Sequence, residues 1–298
     1  MNPDPQAIVD RLKQAQEAFL SGEYRQALEH YRWVEANLGE DRDALPLIWM
    51  EMGWCHYFLQ NYTAAIERFS RVLERRERLT EQQIFDALRL VGFSHKSTGN
   101  PDRAIAFLQD AVARPIPDAE KRHAWFELGR LFFTQDLAAE AGPYLEQALA
   151  NFAEEEGDYR QSARYYLGFV RLLSGDHRAA EDLFEAILGE APNATEQAPG
   201  HFGLAHLRYA DRDYRSVVAQ CREVMSADPD FFDRETVAFF LCRSFAELRE
   251  WDQLETYLNG LMDAFPEGRY KAAYPALLKA LHYRQPPPPA PDSPAAKN

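Results

Sequence analysis

Eight histidines and three cysteines are the side chains most able to serve catalysis or hold a metal in this 298-residue chain, and their spacing supports neither role. His201 and His206 stand five apart, not at the i, i+4 interval that sets two imidazoles on one helix face for a metal. Cys55, Cys221 and Cys242 are odd in number and unclustered, a pattern that reads as small buried thiols in a reducing compartment. The run Glu154-Glu155-Glu156 reads as a solvated helix end. GxGxxG, a phosphate-binding Walker loop, HExxH and GxSxG are all absent from the sequence, so no nucleotide, zinc or acyl-transfer chemistry is signposted. No catalytic residue, metal site or cofactor is expected, and the chain reads as a non-enzyme.

Composition narrows the partners. The chain is 46% hydrophobic and 27% charged, the balance of a globular protein. Its formal net charge of −14 argues against nucleic acid, whose binders neutralise phosphates with basic groups. The same charge argues against an anionic membrane surface. The longest apolar stretches, such as Val237 to Cys242, are far too short to span a bilayer. The opening MNPDPQAIVD has no basic segment followed by an apolar run, so no signal peptide is expected. Location is therefore expected to be cytoplasmic, and the Asn61-Tyr62-Thr63 and Asn193-Ala194-Thr195 sequons read as chance matches.

The elements that would position any site come from a repeat. Trp49 to Val72 reads as two short amphipathic helices joined at Gln60-Asn61, with small residues at Gly53 and Ala65 where the backbones approach. Its spacing recurs seven times, on Ala15, Gly53, Gly92, Gly129, Gly168, Ala205 and Cys242, at intervals of 37 to 39 residues. Apolar columns follow at plus twelve, plus sixteen and plus nineteen; in the fifth copy they are Ala180, Phe184 and Ile187. Turn pairs fall seven residues after each small position, among them Gly22-Glu23, Gly99-Asn100, Gly175-Asp176 and Arg212-Asp213. Thr80 with Gln83, and Asp158 with Gln161, are spaced as capping boxes. Pro115, Pro117, Pro192, Pro229 and Pro266 should stop the second helices. One hairpin cannot bury its own apolar face, so the copies must stack.

This pattern resembles the tetratricopeptide repeat family. Trp49, Met52, Gly53, Ala65 and Phe69 carry the likeness, with Trp125, Leu128, Gly129 and Ala141, and with Leu167, Gly168, Ala180, Phe184 and Pro192. The implied fold is all-α, a right-handed α-solenoid of about seven such helix hairpins over residues 4–268, closed by a C-terminal capping helix within 269–285. The repeats run longer than the usual ~34 residues, and the excess is expected in the second helices, as in the charged run Glu74 to Arg78. The capping helix is read over Tyr270 to Arg284, with an interruption at Pro275 allowed. The proline-rich tail, residues 286–298, is expected to be disordered or polyproline II.

In the family resembled, the first helices line a concave groove, with residues three before, one after and four after the small position facing inward. Carried onto repeats two to seven, the first column is Met50, Arg89, Phe126, Tyr165, Phe202 and Phe239. The second is Trp54, Phe93, Arg130, Phe169, His206 and Arg243, and the third Tyr57, Lys96, Phe133, Leu172, Tyr209 and Ala246. These eighteen include ten aromatics, four Arg or Lys and no acid. The second column is expected to be the more exposed, and Arg89, Arg130 and Arg243 are the hardest to explain as packing, since a buried guanidinium needs a partner. Aromatic and Arg side chains are favoured interface anchors. The expected partner is a protein or peptide with apolar anchors plus acidic groups or a free C-terminal carboxylate. The expected contacts are Trp54, Arg89, Phe93, Phe126, Arg130, Tyr165, Phe169, Phe202, His206, Phe239 and Arg243. The Lys and Asn clamp by which family members hold chaperone tails has no inward Asn here. The reading is therefore an interaction scaffold or adaptor. A peptide-sensing regulatory protein stands as the alternative, beside a structural unit forming homo-oligomers by docking its first repeat into the next copy.

Overall fold

The computed structural model describes residues 4–38 and 44–288. The described residues form helices and turns, with no strand among them. Seven helix pairs follow in order: α1 (Pro5–Leu20) with α2 (Tyr24–Asn37), α3 (Leu45–Phe58) with α4 (Tyr62–Leu73), and α5 (Glu81–Ser97) with α6 (Pro101–Val112). Then come α7 (Asp118–Thr134) with α8 (Ala138–Asn151), α9 (Gly157–Leu173) with α10 (His177–Glu190), α11 (Ala194–Ala210) with α12 (Tyr214–Ala227), and α13 (Arg234–Leu248) with α14 (Trp251–Ala264). A last helix, α15 (Tyr274–Tyr283), follows a short 3-10 turn at Lys271–Ala273. Pro275 does not interrupt it; it sits in the first turn of α15, where a missing N–H leaves no helical bond unmade. The chain is thus all-α and built of the seven hairpins expected, with the closing helix in place.

Backbone geometry explains the turns. The first residue of every turn pair is left-handed: Gly22, Gln60, Gly99, Asp136, Gly175, Arg212 and Arg249 have φ between 58° and 80°. Glycine adopts this region freely and occupies three of the seven. The next residue starts the second helix, and Asn61, Asp176 and Asp213 each accept a hydrogen bond there from an amide three residues on. Thr80 and Gln83 form the expected capping box, 3.2 Å and 2.9 Å in the two directions. Asp158 does not: α9 begins at Gly157 and Glu156 takes the cap position without a side-chain bond.

The extra length of the repeats lies in the first helices, not the second. α5, α7, α9 and α11 have 17 residues each, whereas no second helix exceeds 14. The charged run ends α4 instead of extending it, with Arg75 at φ −122° and a 3-10 turn at Arg76–Arg78. On a continued helix Arg71, Arg75 and Arg78 would follow one another on one face at intervals of four and three, where like charges repel.

Contacts divide the chain into two compact units, residues 1–131 and 132–298. In the N-terminal unit, Ala15, Ala27, Tyr31 and Val34 are buried with Met52 and Cys55, and Ala65, Phe69 and Val72 with Ala87, Leu90 and Val91. In the C-terminal unit, Phe169, Phe184, Phe202, Phe240 and Phe245 are fully enclosed. The small positions do what their spacing implied. A Cβ at Gly53 would lie 2.8 Å from the Phe69 ring, and one at Gly168 would lie 2.5 Å from that of Phe184.

Candidate functional site

In the N-terminal unit the inward columns remain partly open. Trp54, Arg89, Phe93 and Arg130 are each half-buried. The Arg89 guanidinium lies over three rings at once, 5.5 Å from Phe85, 5.7 Å from Phe93 and 5.9 Å from Trp54. Such stacking orients a guanidinium without removing its N–H donors. Trp54 stacks on Phe58, which in turn stacks on Tyr24, so the aromatic surface extends to the second hairpin's turn and the helix before it. Phe126 departs from expectation: it is buried, at 6% exposure.

The basic residues of this face are not unopposed. Arg89 donates to Asp86 Oδ1 at 3.0 Å, and Arg130 and Lys96 both reach Glu127 Oε2 at 3.0 Å. Each acid-free column is a single stripe of its helix. Asp86 and Glu127, three residues before each arginine, lie on the adjoining stripe and compensate the charge. The face is therefore aromatic and lined with ion pairs.

The C-terminal unit corrects the expectation of exposure more sharply. Tyr165, Phe169, Phe202, His206, Phe239 and Arg243 are all buried. Their rings form a continuous ladder: Tyr165 to Phe169 at 4.9 Å, Phe169 to His206 at 5.1 Å, His206 to Phe202 at 4.6 Å and to Phe240 at 4.7 Å. Residues outside the repeat pattern cover it. Phe231 and Phe232, between α12 and α13, pack on Phe202, and Tyr270 stacks flat on Phe239 at 4.0 Å. Burial pushes the pKa of His206 down to about 3, with the charge of Arg269 acting in the same direction. Arg243 has its partner in Glu247, 2.6 Å away. What stays open beside this ladder is a cleft of about 480 Å³ that Tyr165, Tyr166, Phe232, Asp158 and Gln161 help to line. Phe232, half exposed, was missed by the repeat reading; its only sequence signal is the aromatic pair inside the acidic turn Asp228 to Asp233.

The thiols are inert by environment. All three cysteines are free and buried, and burial pushes Cys55 and Cys242 up to about 12 and Cys221 higher still. At neutral pH none supplies a thiolate nucleophile. Among the described residues no helix is long and apolar enough to cross a membrane.

The tetratricopeptide repeat profile matches residues 12–79, 50–118 and 92–156. Among curated proteins none matches the chain in sequence. In structure the chain is similar to the apo form of RapI, at 14% identity and TM-score 0.68, covering 93% of this chain and 82% of RapI. It is also similar to the apo form of the quorum sensor NprR from B. thuringiensis, at 12% identity and TM-score 0.61, covering 94% and 81%. A Rap protein complexed with Competence and Sporulation Factor gives 15% identity and TM-score 0.52, covering 93% and 80%. These structures share the fold; by the profile matched repeatedly over residues 12–156, whose hairpin continues to α14, the chain belongs to the tetratricopeptide repeat family.

Proposed function

We propose that this protein is a non-enzymatic cytoplasmic interaction scaffold that holds a peptide or partner segment on the aromatic, arginine-bearing face of its N-terminal unit. The observation that carries this reading is Arg89, half-buried and stacked over Trp54, Phe85 and Phe93. Large rings supply contact area, and a preoriented guanidinium supplies forked donors for a carboxylate. A ligand carboxylate would take over from Asp86, whose bond to Arg89 is a partly exposed i, i+3 pair of small net stability. The partner chemistry is then apolar anchors beside an acidic group or a chain terminus. YrrB, a tetratricopeptide repeat protein similar to this chain in structure, has an unusual peptide-binding site, which lends support to a peptide ligand here.

The test uses pools of short peptides bearing Leu or Phe anchors and a free C-terminal carboxylate, beside the same pools amidated. The unaltered chain should retain carboxylate-bearing members. Arg89→Glu should weaken them by about tenfold or more, the scale of one interface anchor. Equal retention by the charge-reversed chain removes this face as the site.

A further inference from the structure

In the C-terminal unit the chain's own last described residues fold back against α13. α15 closes at Arg284, whose left-handed backbone (φ 48°) turns the chain back, with the Gln285 N–H donating to the Ala280 carbonyl at 3.1 Å. Gln285 to Pro288 then run without regular structure, yet Pro287 is buried. Arg243 holds it: Nη2 donates to the Pro287 carbonyl at 3.2 Å and to Glu247 Oε1 at 2.6 Å. Arg243 is itself only 5% exposed, so this bond to the tail is shielded from water. Tyr209 and Tyr214 flank the guanidinium; Tyr209 lies flat on Phe240 at 4.3 Å and edge-on to Tyr214 at 6.2 Å. The positive charge of Arg243 acts on both hydroxyls, opposing the upward push of burial.

Proline chemistry explains the fit. Each ring fixes φ and removes the N–H, and the residue before a proline is held extended. A run of prolines therefore presents carbonyl acceptors and apolar ring faces, and has little conformational entropy left to lose on docking. Its receptor must supply donors among aromatic surfaces. Arg243 is such a donor, and Tyr209 and Tyr214 bring aromatic faces with hydroxyls. An anionic ligand suits this place poorly, because Glu247 already occupies the guanidinium.

We infer that the face of α13 around Arg243 is a docking site for an extended, proline-rich strand, and that the chain's own Gln285–Pro288 segment occupies it in cis. None of the residues involved belongs to the Trp54–Arg89–Phe93 face, so this assignment stands or falls apart from the proposed function. A tethered segment competes at an effective concentration on the order of 1 mM, so against an affinity of about 100 µM it weakens an external strand about tenfold.

The experiment keeps the full chain and replaces Pro286, Pro287 and Pro288 together by Ser. The probe is a labelled peptide reproducing residues 283–291, with binding read by fluorescence anisotropy. The Ser-substituted chain should bind it about tenfold more tightly than the unaltered chain, which keeps its own segment in place. Arg243→Gln in the substituted background should remove binding, with thermal unfolding recorded alongside. Because Arg243 is buried and that variant risks unfolding, a second peptide with its own prolines replaced by Ser is tested on the same chain and should not bind. Equal binding of the proline peptide by the two chains, no binding by the Ser-substituted chain, or undiminished binding of the Ser peptide would each overturn the assignment.

Discussion

Arg269 grips both oxygens of the Asp233 carboxylate, Nη2 at 2.9 Å from Oδ1 and Nη1 at 3.2 Å from Oδ2. The same carboxylate caps α13, accepting from the Thr236 amide at 3.2 Å and its hydroxyl at 3.0 Å. Glu235 accepts the Tyr270 amide at 3.1 Å, and Thr236 Oγ1 lies 3.0 Å from the Tyr270 hydroxyl. The segment leading into α15 is therefore fastened to the start of α13 by a polar network around a nearly inaccessible acid.

Removing the guanidinium should be felt as an unpaired buried charge. Arg269→Met should lower the unfolding free energy by about 2 kcal/mol, below the usual figure for breaking a buried pair because Arg269 is itself partly exposed. Adding Asp233→Asn to that variant should recover part of the loss, since a neutral amide still caps the helix. Chemical denaturation of the two variants checks both. A single variant as stable as the unaltered chain would show that Asp233 is satisfied by Thr236 alone.

Glycine to alanine should act with opposite signs at two positions. At Gly168 a methyl would meet the Phe184 ring at 2.5 Å, whereas at Gly260, within α14, it would meet nothing within 4 Å. Gly168→Ala should destabilise by about 1–3 kcal/mol through overpacking. Gly260→Ala should stabilise by about 0.8–1.0 kcal/mol through helix propensity alone. Thermal melts separate the two directions, and losses of equal size would deny that Gly168 is kept for close approach.

The start of α8 lacks what three of its counterparts have, as do those of α2, α6 and α14. Leu137 takes the cap position without a side-chain hydrogen bond, while Asn61, Asp176 and Asp213 cap the corresponding helices. Leu137→Asp should stabilise by about 1 kcal/mol, the typical difference between a capping and a non-capping side chain. The gain should shrink at acid pH as the new carboxylate protonates. A neutral or harmful effect at pH 7 would mean that the Leu137 side chain contributes packing worth as much as a cap.

The repeat was legible because its small positions answer to a direct physical need, the approach of Gly53 to Phe69 and of Gly168 to Phe184. The site was legible only in part, because one column position meets two fates. Trp54 and His206 are equivalent by spacing, yet Trp54 keeps open surface and His206 is enclosed by Phe169, Phe202 and Phe240. The ladder around His206 is in turn covered from outside the repeat, by Phe231 and Phe232 on Phe202 and by Tyr270 on Phe239, which no periodic reading assigns to that place. The ion pairs were hidden for a similar reason: Asp86, Glu127 and Glu247 stand three or four residues from their arginines, on neighbouring stripes of the same helices.

Enclosure of His206 makes stability depend on pH in a predictable sense. Its Nε2 has no hydrogen-bond partner among the described residues, and burial holds its pKa down to about 3. In the unfolded chain the same imidazole titrates near 6.5. As pH falls below that value the unfolded state takes up a proton that the folded state refuses, so stability declines from about pH 6.5 down to about pH 3. Between pH 7 and pH 5 this one group should remove about 2 kcal/mol. His206→Leu abolishes the titration while keeping an apolar side chain among the three rings. His56 and His95, also lowered chiefly by burial, are common to both chains and cancel in the comparison. Denaturant unfolding at pH 7 and pH 5 should show the variant losing about 2 kcal/mol less than the unaltered chain across that interval. Parallel losses would mean that the folded protein opens to protonate His206 at little expense, and that the aromatic ladder is looser than its ring distances imply.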